Sequence, residues 1–152
     1  MYQIHEENAE YNAWMRLILI IPAGLFVGAL ISLYYQELEA LWVLLGDAVF
    51  ISLLFYFIFP RKFQIYNDKL RIVLGNPFSV NIPFSSIKEV RHAEGYKAYS
   101  YSGVHFATSS RYLIEILRRK GLNYVISPQH GEIFLQQLDQ AIIVGAGQSD
   151  QR

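Results

Sequence analysis

Leu17-Ile-Leu-Ile-Ile-Pro-Ala-Gly-Leu-Phe-Val-Gly-Ala-Leu-Ile-Ser-Leu-Tyr-Tyr35 is followed, after Gln36-Glu-Leu-Glu39, by Leu41-Trp-Val-Leu-Leu-Gly-Asp-Ala-Val-Phe-Ile-Ser-Leu-Leu-Phe-Tyr-Phe-Ile-Phe59. These two apolar runs decide the architecture. As helices rising ~1.5 Å per residue, each spans roughly 28 Å, close to the ~30 Å hydrocarbon core of a bilayer. A chain of 152 residues has too little remaining mass to bury two helices that are apolar all round. The reading is a membrane hairpin, with transmembrane helices over 15–36 and 40–60. Before it lies an N-terminal segment, 1–14. After it come a domain, 61–145, and a flexible tail, 146–152.

Charge is divided between the two parts. Residues 1–60 hold one base, Arg16, against Glu6, Glu7, Glu10, Glu37, Glu39 and Asp47. Residues 61–152 hold twelve Lys and Arg against seven acids. Arg16 precedes the first span, Arg61 and Lys62 follow the second, and the link between them carries no base. The positive-inside rule then puts both termini in the cytoplasm and the protein in the inner membrane as a multi-pass chain. Trp14, Tyr34, Tyr35, Trp42 and Tyr56 lie near the span ends, where interfacial aromatics belong. The acidic N-terminus and the length of the first run argue against a cleaved secretory signal. Cysteine is absent, which removes disulfides, thiolate nucleophiles and cysteine metal sites.

So short a link makes the two helices pack antiparallel. Gly24, Gly28 and Ser32 recur every four residues as a small-residue stripe, and Gly24-Leu-Phe-Val-Gly28 is a G-x-x-x-G motif. The stripe is expected to seat the second helix; homodimerisation is its alternative use, and the pattern does not separate the two. Asp47 is an ionisable group inside the second span, which costs ~2.5–3.5 kcal/mol even on lenient insertion scales. Folding about the link brings it level with Gly28, so it is expected to face Gly28 and Ser32 and lock the hairpin. A proton or ion site is the functional alternative.

After Pro60 the pattern becomes short alternating runs with turn punctuation, the mark of antiparallel strands. Strands are expected at 62–66, 70–74, 78–82, 87–91, 112–117 and 123–126, with Arg118-Arg-Lys-Gly121 as a charged hairpin turn. Ser127 and Pro128 read as the start of a helix with Ile133, Phe134, Leu135, Leu138, Ala141 and Ile142 on its apolar face, stopped by Gly145-Ala-Gly147. The fold class is a membrane helical hairpin plus an α+β cytoplasmic domain, a bent sheet or partial barrel capped by one C-terminal helix.

Three stretches carry a family resemblance. They are Phe63-Gln-Ile-Tyr-Asn-Asp-Lys-Leu-Arg-Ile, Ile82-Pro-Phe-Ser-Ser-Ile-Lys-Glu-Val, and Tyr124-Val-Ile-Ser-Pro-Gln-His-Gly-Glu-Ile-Phe-Leu-Gln-Gln-Leu. The segment 62–143 resembles the bacterial pleckstrin-homology-like (PH-like) domain, and two helices before the domain match that family's layout. The resemblance implies a seven-stranded PH-like barrel and a binding or scaffold role in a membrane-associated complex, not catalysis. Eukaryotic PH domains use a K-x-n-K-x-R spacing to grip headgroup phosphates, which makes Lys62, Lys69 and Arg71 candidate headgroup ligands. Arg118, Arg119 and Lys120 are candidate contacts to an anionic leaflet, worth ~1 kcal/mol per base near the surface.

Chemistry is sparse elsewhere. His5, His92, His105 and His130 show no metal-ligand spacing, no phosphate loop occurs, and Ser85-Ser86 and Ser109-Ser110 lack a nucleophile elbow. No enzyme activity, metal or cofactor is expected. Tyr96, Tyr99 and Tyr101 around Lys97 form an aromatic stretch, either a recognition patch or an exposed hairpin. The basic excess is too small for nucleic-acid binding. The expected partners are the lipid bilayer, a protein and, through the glycine stripe, a second copy. Sensing of anionic lipid headgroups is the second functional reading, and an accessory subunit of a transport or assembly complex is the third.

Overall fold

The first strand of the domain comes from in front of the apolar helices. The computed structural model describes residues 2–93 and 103–149. Among them the chain divides into two units, Met1–Tyr11 with Phe59–Arg152, and Asn12–Ile58. The segment 1–14, expected to stand apart, contributes β1 (Gln3–Asn8), which pairs antiparallel with β2 (Lys62–Tyr66) in the register Glu6↔Gln64 and Asn8↔Lys62. Its weak apolar alternation hid it from the sequence reading.

β2 is followed by β3 (Lys69–Val73) and β4 (Ser79–Pro83), giving a four-stranded antiparallel sheet in the order β1-β2-β3-β4. Alternation does the work here. Phe63, Ile65, Leu70, Ile72 and Ile82 point inward and are fully buried, and the partners Phe63↔Ile72 and Ile65↔Leu70 share that face. Pro83 ends β4, and a single 3-10 turn, Phe84–Ser86, leads into β5 (Ile87–Ala93).

The second sheet runs β5-β7-β8-β6, with β6 (Gly103–Phe106), β7 (Leu113–Arg118) and β8 (Asn123–Ile126). β6 pairs parallel with β8, whereas the other pairings are antiparallel. Among the described residues the seven-stranded barrel implied by resemblance is instead two four-stranded sheets that do not close. The Tyr96, Lys97, Tyr99 and Tyr101 stretch lies outside the described residues.

α4 (Gly131–Ser149) starts later than expected and runs past Gly145. Ser127 does not cap it. The Ser127 hydroxyl instead accepts from the backbone N–H groups of Thr108 and Ser109, at 2.9 and 3.2 Å. Phe134, Leu138 and Ala141 pack against the inward residues of both sheets, including Ile114, Ile116 and Ile126, in one core. Ile133, expected on the buried face, is 53% exposed, because it sits one residue, about 100° of helix, away from Phe134.

The second unit holds α1 (Ala13–Ile18), α2 (Ile21–Tyr34) and α3 (Leu38–Ile58). Asn12 caps α1 by accepting from Met15 N–H at 2.8 Å. Pro22 lacks the N–H that would bond the Ile18 carbonyl, which explains the break at Leu19–Ile20. Ala13–Tyr34 and Leu38–Ile58 are each long and apolar enough to cross a membrane. Only 17% and 6% of their apolar windows are buried, so neither is the core helix of a globular domain. The link closes tightly. Gln36 takes φ 61°, while Glu37 N–H bonds Ser32 O at 2.9 Å and Gln36 N–H bonds Leu33 O at 3.1 Å, a Schellman end in which Gln stands where Gly is usual.

Candidate functional site

The outward residues of the first sheet form its polar face. Register places Glu6, Gln64, Arg71 and Asn81 in one row across all four strands. Glu6 is the hub. Its carboxylate accepts from Lys62 Nζ at 2.6 Å, Gln64 Nε2 at 2.7 Å and Gln3 Nε2 at 3.2 Å. The hydrogen bond from Lys62 is the main cause that holds the Glu6 carboxyl below the usual carboxylate value, followed by the one from Gln64. Tyr66 donates its hydroxyl to Gln64 Oε1 at 3.3 Å, which fixes the amide between the two.

Lys62, Lys69 and Arg71 therefore share a face, as the spacing suggested, but they are not equivalent. Lys62 is neutralised by Glu6. Lys69 places its ammonium 5.8 Å from the centroid of the Tyr66 ring. Arg71 is half-buried, and its Nε is enclosed with no hydrogen-bond partner among the described residues.

The β7–β8 turn bears out the charged hairpin, with Gly121 at φ 91° and the Asn123 side chain accepting from Arg118 N–H at 3.0 Å. Its bases have structural tasks. Arg118 lies 5.8 Å over the Tyr124 ring, and Arg119 donates from its backbone to Ser86 O and from Nε to Ile87 O. Lys120 is exposed.

Two polar clusters escaped the sequence reading because their members are far apart in the chain. Glu7 on β1 meets His130, just before α4, at 3.1 Å, and His5 at 3.4 Å. Glu115 on β7 is 1% exposed and accepts from Arg91 Nε at 2.9 Å across the β5–β7 ladder. No group of His, Asp and Glu able to hold a metal ion occurs among the described residues. A cleft of 310 Å³ at the start of α4 is lined by Glu10, Arg111, Tyr112, Gln129, His130, Gly131, Glu132 and Ile133. Burial, with Glu132 nearby, raises the Tyr112 hydroxyl above its ordinary value.

In the hairpin one member of the expected stripe, Ser32, is buried, and the two glycines are not. Pro22, Ala29 and Ser32 are buried on α2, and Ala48 on α3. Gly24 is exposed, with nothing within 4 Å of an added Cβ, and Gly28 lies at the edge, where a Cβ would meet Leu44 Cδ1 at 3.5 Å. Asp47 is exposed too, one residue from the fully buried Ala48. The expected inward Asp47, locked against Gly28 and Ser32, is corrected: a rotation of about 100° per residue turns it out of the seam.

A family model described as Bacterial PH domain matches residues 61–141, more than half of the chain. The chain belongs to the bacterial PH domain family. The matched segment covers β2 through most of α4, so this PH domain carries β1 as a strand outside the match. No curated protein and no solved structure matches the chain.

Proposed function

We propose that the chain is a multi-pass inner-membrane protein with both termini in the cytoplasm, and that its PH-like domain is a non-catalytic binding or scaffold module in a membrane-associated complex. The observation that carries this reading is the outer face of the first sheet. It offers a register-locked polar row, Gln64, Arg71 and Asn81, part-exposed or exposed, whose amide and guanidinium groups suit a hydrogen-bonding partner surface better than chemistry. The exposed apolar helices supply the tether. Capture of the intact protein in mild detergent tests it. A stoichiometric partner should be retained by the wild type and lost in Arg71→Glu. Undiminished capture by Arg71→Glu would refute the assignment of the face.

A second reading is favoured by one specific observation. Lys69 and Arg71 have no carboxylate partner among the described ion pairs, whereas Lys62 does. Such a pair suits an anionic lipid headgroup. Flotation of the domain with vesicles containing anionic lipid separates the two readings. Flotation that Lys69→Ala and Arg71→Ala abolish would move the function to headgroup sensing.

A further inference from the structure

The hairpin leaves a mid-membrane carboxyl on its surface, and this inference rests on the membrane reading above. Asp47 is the tenth residue of the 21-residue α3, so it lies near mid-span. It is exposed, and lipid offers it nothing. Its surroundings follow from two placements. A Cβ at Gly28 would lie 3.5 Å from Leu44, so residues 28 and 44 share a level. In antiparallel helices Asp47, three residues on from Leu44, then falls between the levels of Gly24 and Gly28.

The flank is the same as well. On α2 the seam passes through Ala29, and Gly28 sits about 100° back from it, with Gly24 further round in the same sense. On α3 the seam passes through Ala48, and Asp47 sits about 100° back from it. Between antiparallel helices, stepping back from the seam on each leads to one common flank. That flank therefore carries both an unpaired polar group and, at its own depth, a niche of exposed glycine backbone.

We propose that this flank is a self-association surface. Two copies pair about a twofold axis along the membrane normal, and each Asp47 carboxyl enters the Gly24–Gly28 niche of the other copy. A twofold axis along the normal preserves depth, so group and niche meet without a change of level. A patch holding both halves of a complementary contact is what an isologous interface requires. The missing Cβ atoms leave the backbone of the niche accessible to the carboxyl, and small residues let the helices approach.

The absence of cysteine permits a direct test in the full chain. Copies carrying Gly24→Cys and copies carrying Asp47→Cys place one thiol pair in one of the two proposed contacts and leave the other native; Val49→Cys, exposed on the opposite flank, is the control. In bilayers at high lipid excess, oxidation should cross-link the Gly24→Cys and Asp47→Cys copies to each other and leave a mixture of Gly24→Cys with Val49→Cys monomeric. Gly24→Leu does not disturb the hairpin seam, because its Cβ meets nothing. Added to the Asp47→Cys copy, where it closes the remaining native contact, it should lower the association constant about tenfold, ~1.4 kcal/mol. Asp47→Leu in the Gly24→Cys copy should do the same, while Asp47→Asn there retains the dimer. Equal cross-linking with Val49→Cys, none with Asp47→Cys, or no loss in Gly24→Leu would overturn the proposal. Cross-linking of either copy to a different protein, with no homodimer, would also overturn it. Release of the chain by alkaline carbonate would instead refute the membrane reading itself.

Discussion

Removing β1 should destabilise the domain that follows the helices, even though the family match begins only at residue 61. The structure lets the hairpin be deleted without disturbing β1. The rings of Tyr11 and Phe59 lie 6.5 Å apart, and a linker of about four Gly and Ser residues can reach roughly 14 Å. Joining 1–11 to 59–152 in this way gives a soluble reference protein. The comparison is 59–152 alone.

Five hydrogen bonds disappear with the segment in addition to the β1–β2 ladder and the side-chain bonds of Glu6 and Glu7. Ala9 N–H bonds Arg61 O, Glu10 N–H bonds Ser127 O, and Gln129 N–H bonds Asn8 O. Tyr11 donates to Pro60 O, and Thr108 Oγ1 donates to Glu10 O. At a net ~1 kcal/mol each these total about 5 kcal/mol, and the ladder bonds roughly offset the ordering of the strand. A loss of ~3–5 kcal/mol is a large share of the ~5–15 kcal/mol that holds a domain together. It corresponds to a fall in melting temperature of roughly 15 °C or more. Urea unfolding followed by far-UV circular dichroism, and calorimetry, measure it. Equal midpoints for the two proteins would refute the view that β1 is integral to the domain.

Three further outcomes can be checked on the linked domain. Phe134→Ala should cost ~3–5 kcal/mol in urea unfolding, because the ring is fully buried against Phe63 at 6.1 Å between centroids, whereas Ile133→Ala should cost little. Gly131→Ala should cost ~1–3 kcal/mol, because the new methyl would lie 2.0 Å from Tyr112 Cδ1, and Tyr112→Ala in the same protein should relieve part of that loss. The Glu6 contribution should be present in full above its ordinary value of 4.5 and be lost as pH falls through the lowered folded value, and Glu6→Gln should flatten that acid limb of the stability profile.

The legible parts of the sequence were those written in local periodicity. The two apolar runs, the alternating strands from Lys62 to Ile126 and the Gly121 turn follow from neighbours along the chain. What stayed hidden depends on distant pairing. β1 reads as a polar acidic segment, because its inward residues are His5 and Glu7 rather than Val or Ile, and His5 packs on Phe134 at 6.0 Å. Ser127 looked like a cap because a hydroxyl before Pro resembles one; the loop at Thr108–Ser109 claims it first. At the candidate face, spacing put Lys62, Lys69 and Arg71 together, but only cross-strand register reveals that Glu6 neutralises the first. In the hairpin, four-residue spacing named Gly24, Gly28 and Ser32; Ser32 is buried, but in place of the glycines the buried positions are Ala29 and Ala48.

The pairing of β1 with β2 also bears on topology in a way that counting bases does not. Flanking Arg16, Arg61 and Lys62 argue that both ends of the hairpin face the cytoplasm, by an electrostatic preference that added charges elsewhere can override. Asn8↔Lys62 pairing, with Ala9 N–H bonded to Arg61 O at 2.9 Å, is a constraint of the fold instead. Two neighbouring strands of one sheet cannot lie on opposite sides of a bilayer. Residues 1–11 and 59–152 must then share a side, and the apolar helices between them must cross an even number of times. Two helices of 22 and 21 residues meet that demand with one crossing each. Removing the bases should thus invert the hairpin as a unit, carrying both ends across together, rather than split them. Reporters after Lys62 and before Ala13 should always agree in sidedness, and opposite sidedness would mean that β1 and β2 are not paired in the membrane-bound protein.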